Sequence, residues 1–171
     1  DQIDDIDSVI DLTSVFGNAW LSGVNSPVNA GLGVNRLDPN AYQMSVGTGG
    51  LGLPDRSYYL TDTPRFNDIL AAYKENIIQT LSFIGGDDAA TKADQIIALE
   101  TKIAKAQWPR AKRRNRDLTL NQIARSDLLK DYPGFDWDTY FASSGYIIPE
   151  LNITQPDPLK EIIKLVNSQP L

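Results

Sequence analysis

Along the first twenty-odd residues the apolar positions return every third or fourth place. Ile3, Ile6, Val9 and Ile10, then Leu12, Val15, Phe16, Ala19 and Trp20, fall on one broad helical face, so one or two helices are expected across about 3–22. Gly23 and Pro27 end that stretch. The period then changes. Leu32, Val34 and Leu37 precede the turn-forming trio Asp38-Pro39-Asn40, and Tyr42, Met44 and Val46 alternate strictly after it. This predicts a β-hairpin with arms over 30–37 and 40–47, followed by a loop from Gly47 to Gly52.

The helical period resumes at Pro64, a residue suited to a first turn. Phe66, Ile69, Leu70, Tyr73, Ile77, Thr80, Leu81 and Ile84 form a stripe, and Gly85-Gly86 supplies a C-terminal stop. Asp87 or Asp88 then caps a second helix to about Trp108, where Pro109 closes it. So short a link implies an antiparallel pair. Further on, Thr119 and Gln122 have capping-box spacing for a short helix near 120–125, and Ser126 starts another to Lys130. Asp136 caps Trp137–Ala142, and Pro158 opens a last helix with Leu159, Ile162, Ile163 and Val166 on its apolar face. The expected fold is mainly α: a single domain, residues 1–171, with a long antiparallel helix pair and a small β-hairpin.

Composition narrows the chemistry. At 171 residues, 42% hydrophobic and 22% charged, the chain has the make-up of one globular domain with a buried core. A net charge of −6 argues against a nucleic-acid coat. No apolar run approaches the roughly 20 residues of a membrane span. The chain contains neither histidine nor cysteine. That removes the imidazole triads, the thiolate sites and the commonest zinc ligands, leaving carboxylates, carbonyls and water, which suit harder cations. It opens Asp1-Gln2-Ile3 with no initiator methionine, and its only methionine is Met44, so it reads as an excised segment.

Four local patterns invite a site. Gly47 to Gly52 spells G-x-G-x-x-G, but a dinucleotide fingerprint runs into a helix within a βαβ unit, and here Leu53-Pro54-Asp55 follows. The better reading is a tight turn in which Gly52 takes a torsion other residues resist. Lys105, Arg110, Lys112, Arg113, Arg114 and Arg116 cluster beside Trp108 in the manner of a single-strand binder. Glu100, Asp117, Asp127 and Asp131 lie near enough in sequence to offset them, which favours a solvated or internally paired patch over nucleic acid. The acidic groups Asp4, Asp5 and Asp7, Asp87 and Asp88, and Asp136 and Asp138 are explained by caps and solvent. Asn152-Ile153-Thr154 is a glycosylation sequon. Tyr58, Tyr59, Trp20, Trp108 and Trp137 suit a core as readily as a peptide groove.

One decapeptide says more. Gly50-Leu51-Gly52-Leu53-Pro54-Asp55-Arg56-Ser57-Tyr58-Tyr59 resembles the G-L-G-L-P-D-R-D-Y-Y segment of the neprilysin and endothelin-converting-enzyme family of zinc metallopeptidases, with Ser57 in place of an acid. Ala98-Leu99-Glu100 through Ala104, then Trp108, Arg116-Asp117 and Thr119-Leu120-Asn121, are similar to its L-E-x-x-L-A…R-D…T-Y-N stretch, with Leu120 replacing tyrosine. Pro133-Gly134-Phe135-Asp136-Trp137, followed by Tyr140, is similar to its P-x-F-D-W-x-x-Y segment. The three blocks keep the family's order.

The resemblance implies a piece of the N-terminal, non-catalytic helical region that caps the catalytic cavity and restricts access to oligopeptides. The family's H-E-x-x-H, its glutamate ligand and its peptide-clamping motif are absent, so no catalytic or metal role passes to any residue here, and this chain alone should be inactive. Zinc belongs to the full-length protein. The implied partners are the catalytic domain of the same polypeptide and oligopeptide substrates, with no nucleic acid and no membrane span in this segment; the implied location is exported. The matched blocks read as structural: Asp55 and Arg56 pin a turn, and Tyr58 and Tyr59 anchor it to the long helix. The alternative is a freestanding helical binding module. A lid of this kind should expose an apolar patch, for which Val9, Phe16 and Trp20, and Ile162, Ile163 and Val166, are the expected contributors.

Overall fold

A computed structural model describes residues 5–19, 21–85 and 87–169. Asp1, Gln2, Ile3, Asp4, Trp20 and Gly86, which enter the expectations above, lie outside the described residues. The chain divides into two compact units, one formed by residues 1–50 and 108–171 and the other by residues 51–107.

The first unit opens with α1, Val9–Ala19. The helix starts later than the periodicity suggests because Ser8 caps it: its Oγ accepts from the Asp11 amide at 3.2 Å and donates to the Asp11 carboxylate at 2.6 Å. The hairpin follows as β1, Val28–Val34, and β2, Tyr42–Thr48, antiparallel and within three residues of the predicted arms. It belongs to a larger sheet. The short strands β3, Gln122–Ala124, and β4, Glu150–Ile153, extend it in the order β1-β2-β4-β3, with β4 parallel to β2 and antiparallel to β3.

The helix predicted near 120–125 is therefore a strand. Thr119 does not cap it: its hydroxyl donates to the Asn115 carbonyl at 2.9 Å and accepts from Arg36 at 3.1 Å. A single turn, α5, Arg110–Arg113, precedes β3, and after it Arg125–Asp127 makes one 3₁₀ turn into α6, Leu128–Asp131. The remaining helices of this unit are α7, Trp137–Ser144, and α8, Pro156–Ser168, which begins two residues before the expected Pro158. Val28, Met44, Val46, Leu151 and Ile153 from the sheet, with Leu159 and Ile162 from α8, are at most 2% exposed and form the core. Ile162, Ile163 and Val166 are thus packed inside instead of lying on an open face. An amphipathic stripe shows that a helix is covered on one side; the covering element here is the domain's own sheet.

The second unit is an all-helical piece. A short α2, Ser57–Leu60, leads into α3, Pro64–Phe83, and α4, Ala89–Ala106, the expected antiparallel pair. Thr63 accepts from the Phe66 amide at 3.4 Å and starts α3. Asp88 occupies the N-cap position of α4 in the left-handed region, φ 55°, and its side chain makes no capping hydrogen bond, so the expected carboxylate cap is not formed.

Candidate functional site

Most residues of the matched blocks gather at two places, one in each unit, and Arg116, Asp117 and Asn121 lie on the loop before β3. In the second unit they converge on Glu100, in the middle of α4. One carboxylate oxygen accepts from the Gly52 amide at 3.1 Å and the Tyr73 hydroxyl at 3.0 Å, and the other accepts from the Tyr59 hydroxyl at 2.7 Å. The Tyr59 oxygen in turn accepts from the Leu53 amide at 2.9 Å. The loop before α2 is thereby tied to both long helices through one charged group. Burial, then the hydrogen bond to Glu100, raises the Tyr59 phenol far above its usual range; burial and the Glu100 charge push Tyr73 up to about 12.

The same loop is fixed at three further points. Asp55 accepts from the Ser57 amide and hydroxyl at 3.0 and 2.9 Å, so serine performs a local turn-closing role where an acid is usual. Arg56 Nε donates to the Ala104 carbonyl at 2.9 Å in the last turn of α4, a charge-assisted bond to a carbonyl the helix end leaves free. Tyr58 packs on Phe66 with ring centroids 5.0 Å apart. Of the two tyrosines, then, Tyr58 reaches α3 as expected and Tyr59 reaches α4.

Gly52 is needed for a reason other than the one its sequence context suggests. It is not among the positive-φ glycines, whereas Gly50 is, at φ 78°. A Cβ at Gly52 would fall 1.8 Å from the Tyr73 hydroxyl oxygen. The demand is for space beside the tyrosine that holds Glu100.

In the first unit the third block forms an aromatic nest. Phe135, Trp137, Tyr140 and Phe141 are each at most 4% exposed, with Phe135 and Trp137 rings 4.7 Å apart and Tyr140 edge-on to Phe141 at 5.3 Å. Trp137 Nε1 donates to the Tyr132 carbonyl at 3.0 Å. Asp136 caps α7, accepting from the Thr139 amide at 3.0 Å and its hydroxyl at 2.7 Å, and these bonds hold its carboxyl below the usual range. The Asp136→Ala variant is expected to lose about 1 kcal/mol at neutral pH. In the parent the cap's contribution is present above the ordinary carboxylate pKa and is lost as pH falls through the depressed one. Urea unfolding of the two proteins between pH 7 and pH 2 checks this: their difference should shrink towards the acid end.

Asn121 ties the preceding loop to the sheet, donating to Leu118 and Ile153 carbonyls at 2.8 and 2.9 Å. Its own amide donates to Asn152 Oδ1 at 2.6 Å, and Asn152 Nδ2 reaches the Thr119 carbonyl at 3.1 Å. Asn152 is only 3% exposed, so the folded chain does not present the sequon. Arg116 and Asp117 lie exposed on that loop. Lys112 sits 3.9 Å over the Trp108 ring, so one cation of the basic run covers an aromatic face. Glu100, counted among the acids offsetting that run, is committed to the two phenols.

Beside the aromatic nest lies a cleft of about 1040 Å³ bordered by Leu129, Phe135, Trp137, Ile147 and Pro149, with Arg125 and Asp138 paired at 3.0 Å on its edge. Its walls are mainly apolar, and Asp136 is already engaged in capping. Among the described residues no group of three acidic side chains is placed to hold a metal ion, and no helix is long and apolar enough to cross a membrane.

The family model for peptidase family M13, in its N-terminal form, matches residues 1–171. The chain belongs to peptidase family M13. Within it, endothelin-converting enzyme 1 of rat and of human is each 28% identical over 138 residues, covering 75% of this chain and 18% of the relative. The Mycobacterium tuberculosis zinc metalloprotease Zmp1, solved with an inhibitor, superposes with a TM-score of 0.90 at 31% identity, over 99% of this chain and 26% of that one. PepO from Lactobacillus rhamnosis shares the fold, with a TM-score of 0.70 at 13% identity over 94% of this chain and 26% of that one. The chain therefore spans about a quarter or less of the length of each of these proteins.

Proposed function

We propose that residues 1–171 are the non-catalytic capping portion of a neprilysin-like zinc metallopeptidase, restricting entry of substrates to oligopeptides. The observation that carries this reading is a match to the M13 family over the whole chain, in a sequence with no histidine to offer an H-E-x-x-H motif. The chain's own residues do not fit a zinc site. Zinc and the chemistry it supplies belong to the catalytic portion of the full protein, and an exported location follows from the same kinship.

In this reading the matched blocks are structural. A wall that sorts substrates by size must not part when a folded protein presses on it. Glu100 with Gly52, Tyr59 and Tyr73, and the nest around Trp137 with its Asp136 cap, each remove a local freedom that would let a helix slide or a loop open. Arg116, Asp117 and Asn121 complete the loop that feeds β3.

Metal analysis after dialysis tests the division of labour. Zinc is expected in the full-length peptidase, together with chelator-sensitive cleavage of oligopeptides, and neither is expected of residues 1–171. Stoichiometric zinc or chelator-sensitive peptidase activity in the 171-residue chain would overturn the reading.

A further inference from the structure

The sheet of the first unit is covered on one face only part of the way along. The register Val28↔Thr48, Ala30↔Val46, Leu32↔Met44 and Val34↔Tyr42 places these eight side chains on the same side. At the inner end Val28, Val46 and Met44 are at most 2% exposed, and α8 packs on both strands. At the outer end the same face continues with Leu32, Val34 and Tyr42, which are 51%, 59% and 74% exposed, and Leu37 in the connecting loop is 62% exposed. Leu32 is thus half-covered, and Val34, Leu37 and Tyr42 are progressively more open.

The edge is open as well. Gly49 N donates to the Pro27 carbonyl and Asn35 N to the Ala41 carbonyl, so the odd-numbered residues of β1 pair with β2. Leu32 and Val34 thus turn their backbone groups to the free side, while further in Tyr140 donates to the Val28 carbonyl at 3.2 Å. β1 carries no charge, proline or bulge to discourage pairing.

We propose that this distal half of the hairpin is where the remaining polypeptide of the full-length peptidase docks, laying an apolar element over Leu32, Val34 and Tyr42. The inference rests on the capping reading above. Size favours this occupant over a second copy. The four side chains offer on the order of 400 Å², half of the roughly 800 Å² per partner that a stable complex buries. That is too little for a dimer, yet adequate for a surface already tethered in the same chain, where effective concentrations reach the millimolar range. The length is there to supply it, since this chain covers 26% of the Mycobacterium tuberculosis metalloprotease it superposes on.

The test is photo-cross-linking in the full-length peptidase, with Tyr42→p-benzoylphenylalanine and, in case that variant fails to fold, Leu37→p-benzoylphenylalanine. Cross-linked peptides in the monomer band joining the hairpin to residues outside 1–171 are expected. Cross-links confined to residues 1–171, or found only in a dimer band, overturn the proposal. Size selectivity measured on the unmodified enzyme separates the two claims: selectivity retained without such cross-links sinks the docking surface alone, and its absence sinks the capping reading.

Discussion

Replacing Glu100 with alanine is expected to destabilise the helical unit by about 4–5 kcal/mol, the combined effect of three hydrogen bonds to a charged acceptor at the lower end of their usual worth, about 1.5 kcal/mol each. The low end applies because the group is partly open to water. Gly52 N, Tyr59 Oη and Tyr73 Oη would all lose their acceptor at once. Glu100→Gln keeps the shape and one oxygen and should lose only about 1–2 kcal/mol. Denaturant unfolding followed by tyrosine fluorescence checks both. A loss below about 0.5 kcal/mol for the alanine variant, the range of ordinary surface changes, would mean the cluster is not the fastening described.

The cluster also sets an alkaline limit. The Tyr73 phenol is pushed up to about 12 and Tyr59 higher, against roughly 10 in an unfolded chain. The folded state therefore holds these protons more tightly. The stabilisation is complete below about pH 10 and is lost as pH rises through the folded values. Unfolding free energy measured from pH 8 to pH 12 should fall over the last two units. In Glu100→Ala the fall should be smaller, with the part due to burial remaining.

The second large effect is expected at Gly17, inside α1. Helix propensity alone predicts that alanine there would gain up to about 1 kcal/mol. The structure predicts the opposite sign. A Cβ at Gly17 would lie 2.3 Å from the Tyr140 carbonyl oxygen, a backbone atom of α7 that has no rotamer by which to retreat. α1 and α7 would have to separate, disturbing the Ser14–Ser143 hydroxyl contact at 3.0 Å and the nest behind Tyr140. Gly17→Ala should cost about 2–3 kcal/mol. Gly31→Ala, where an added Cβ meets nothing within 4 Å, is the control and should change stability by no more than about 0.5 kcal/mol. Thermal melts of the two variants, side by side, decide between propensity and packing.

Both predictions concern contacts that the sequence shows poorly. Long elements were legible: Pro64, the apolar stripe and Gly85 define α3, and the alternation of Met44 and Val46 around a turn defines the hairpin. β3 and β4 were not, because strands of three and four residues are too short to display a period. What makes Gln122–Ala124 a strand is Leu151, twenty-eight positions away, and not its own composition. Glu100 stood out within a matched block, but Tyr73 read as one more member of a helical stripe. That its hydroxyl reaches Glu100, and so forbids a side chain at Gly52, depends on how α3 and α4 pack. The apolar face of α8 was legible as a face, and only the fold says that the sheet covers it.

The capping claim is tested most directly by substrate size in the full-length peptidase. One cleavage sequence would be presented twice, as a free peptide of about ten residues and within an exposed loop of a stably folded protein. The specificity constants kcat/KM are then compared, the loop having been shown to be cut readily by an open-sited protease. A capping wall predicts that the free peptide is cleaved at least a hundredfold faster than the loop. Equal rates on the two would contradict it.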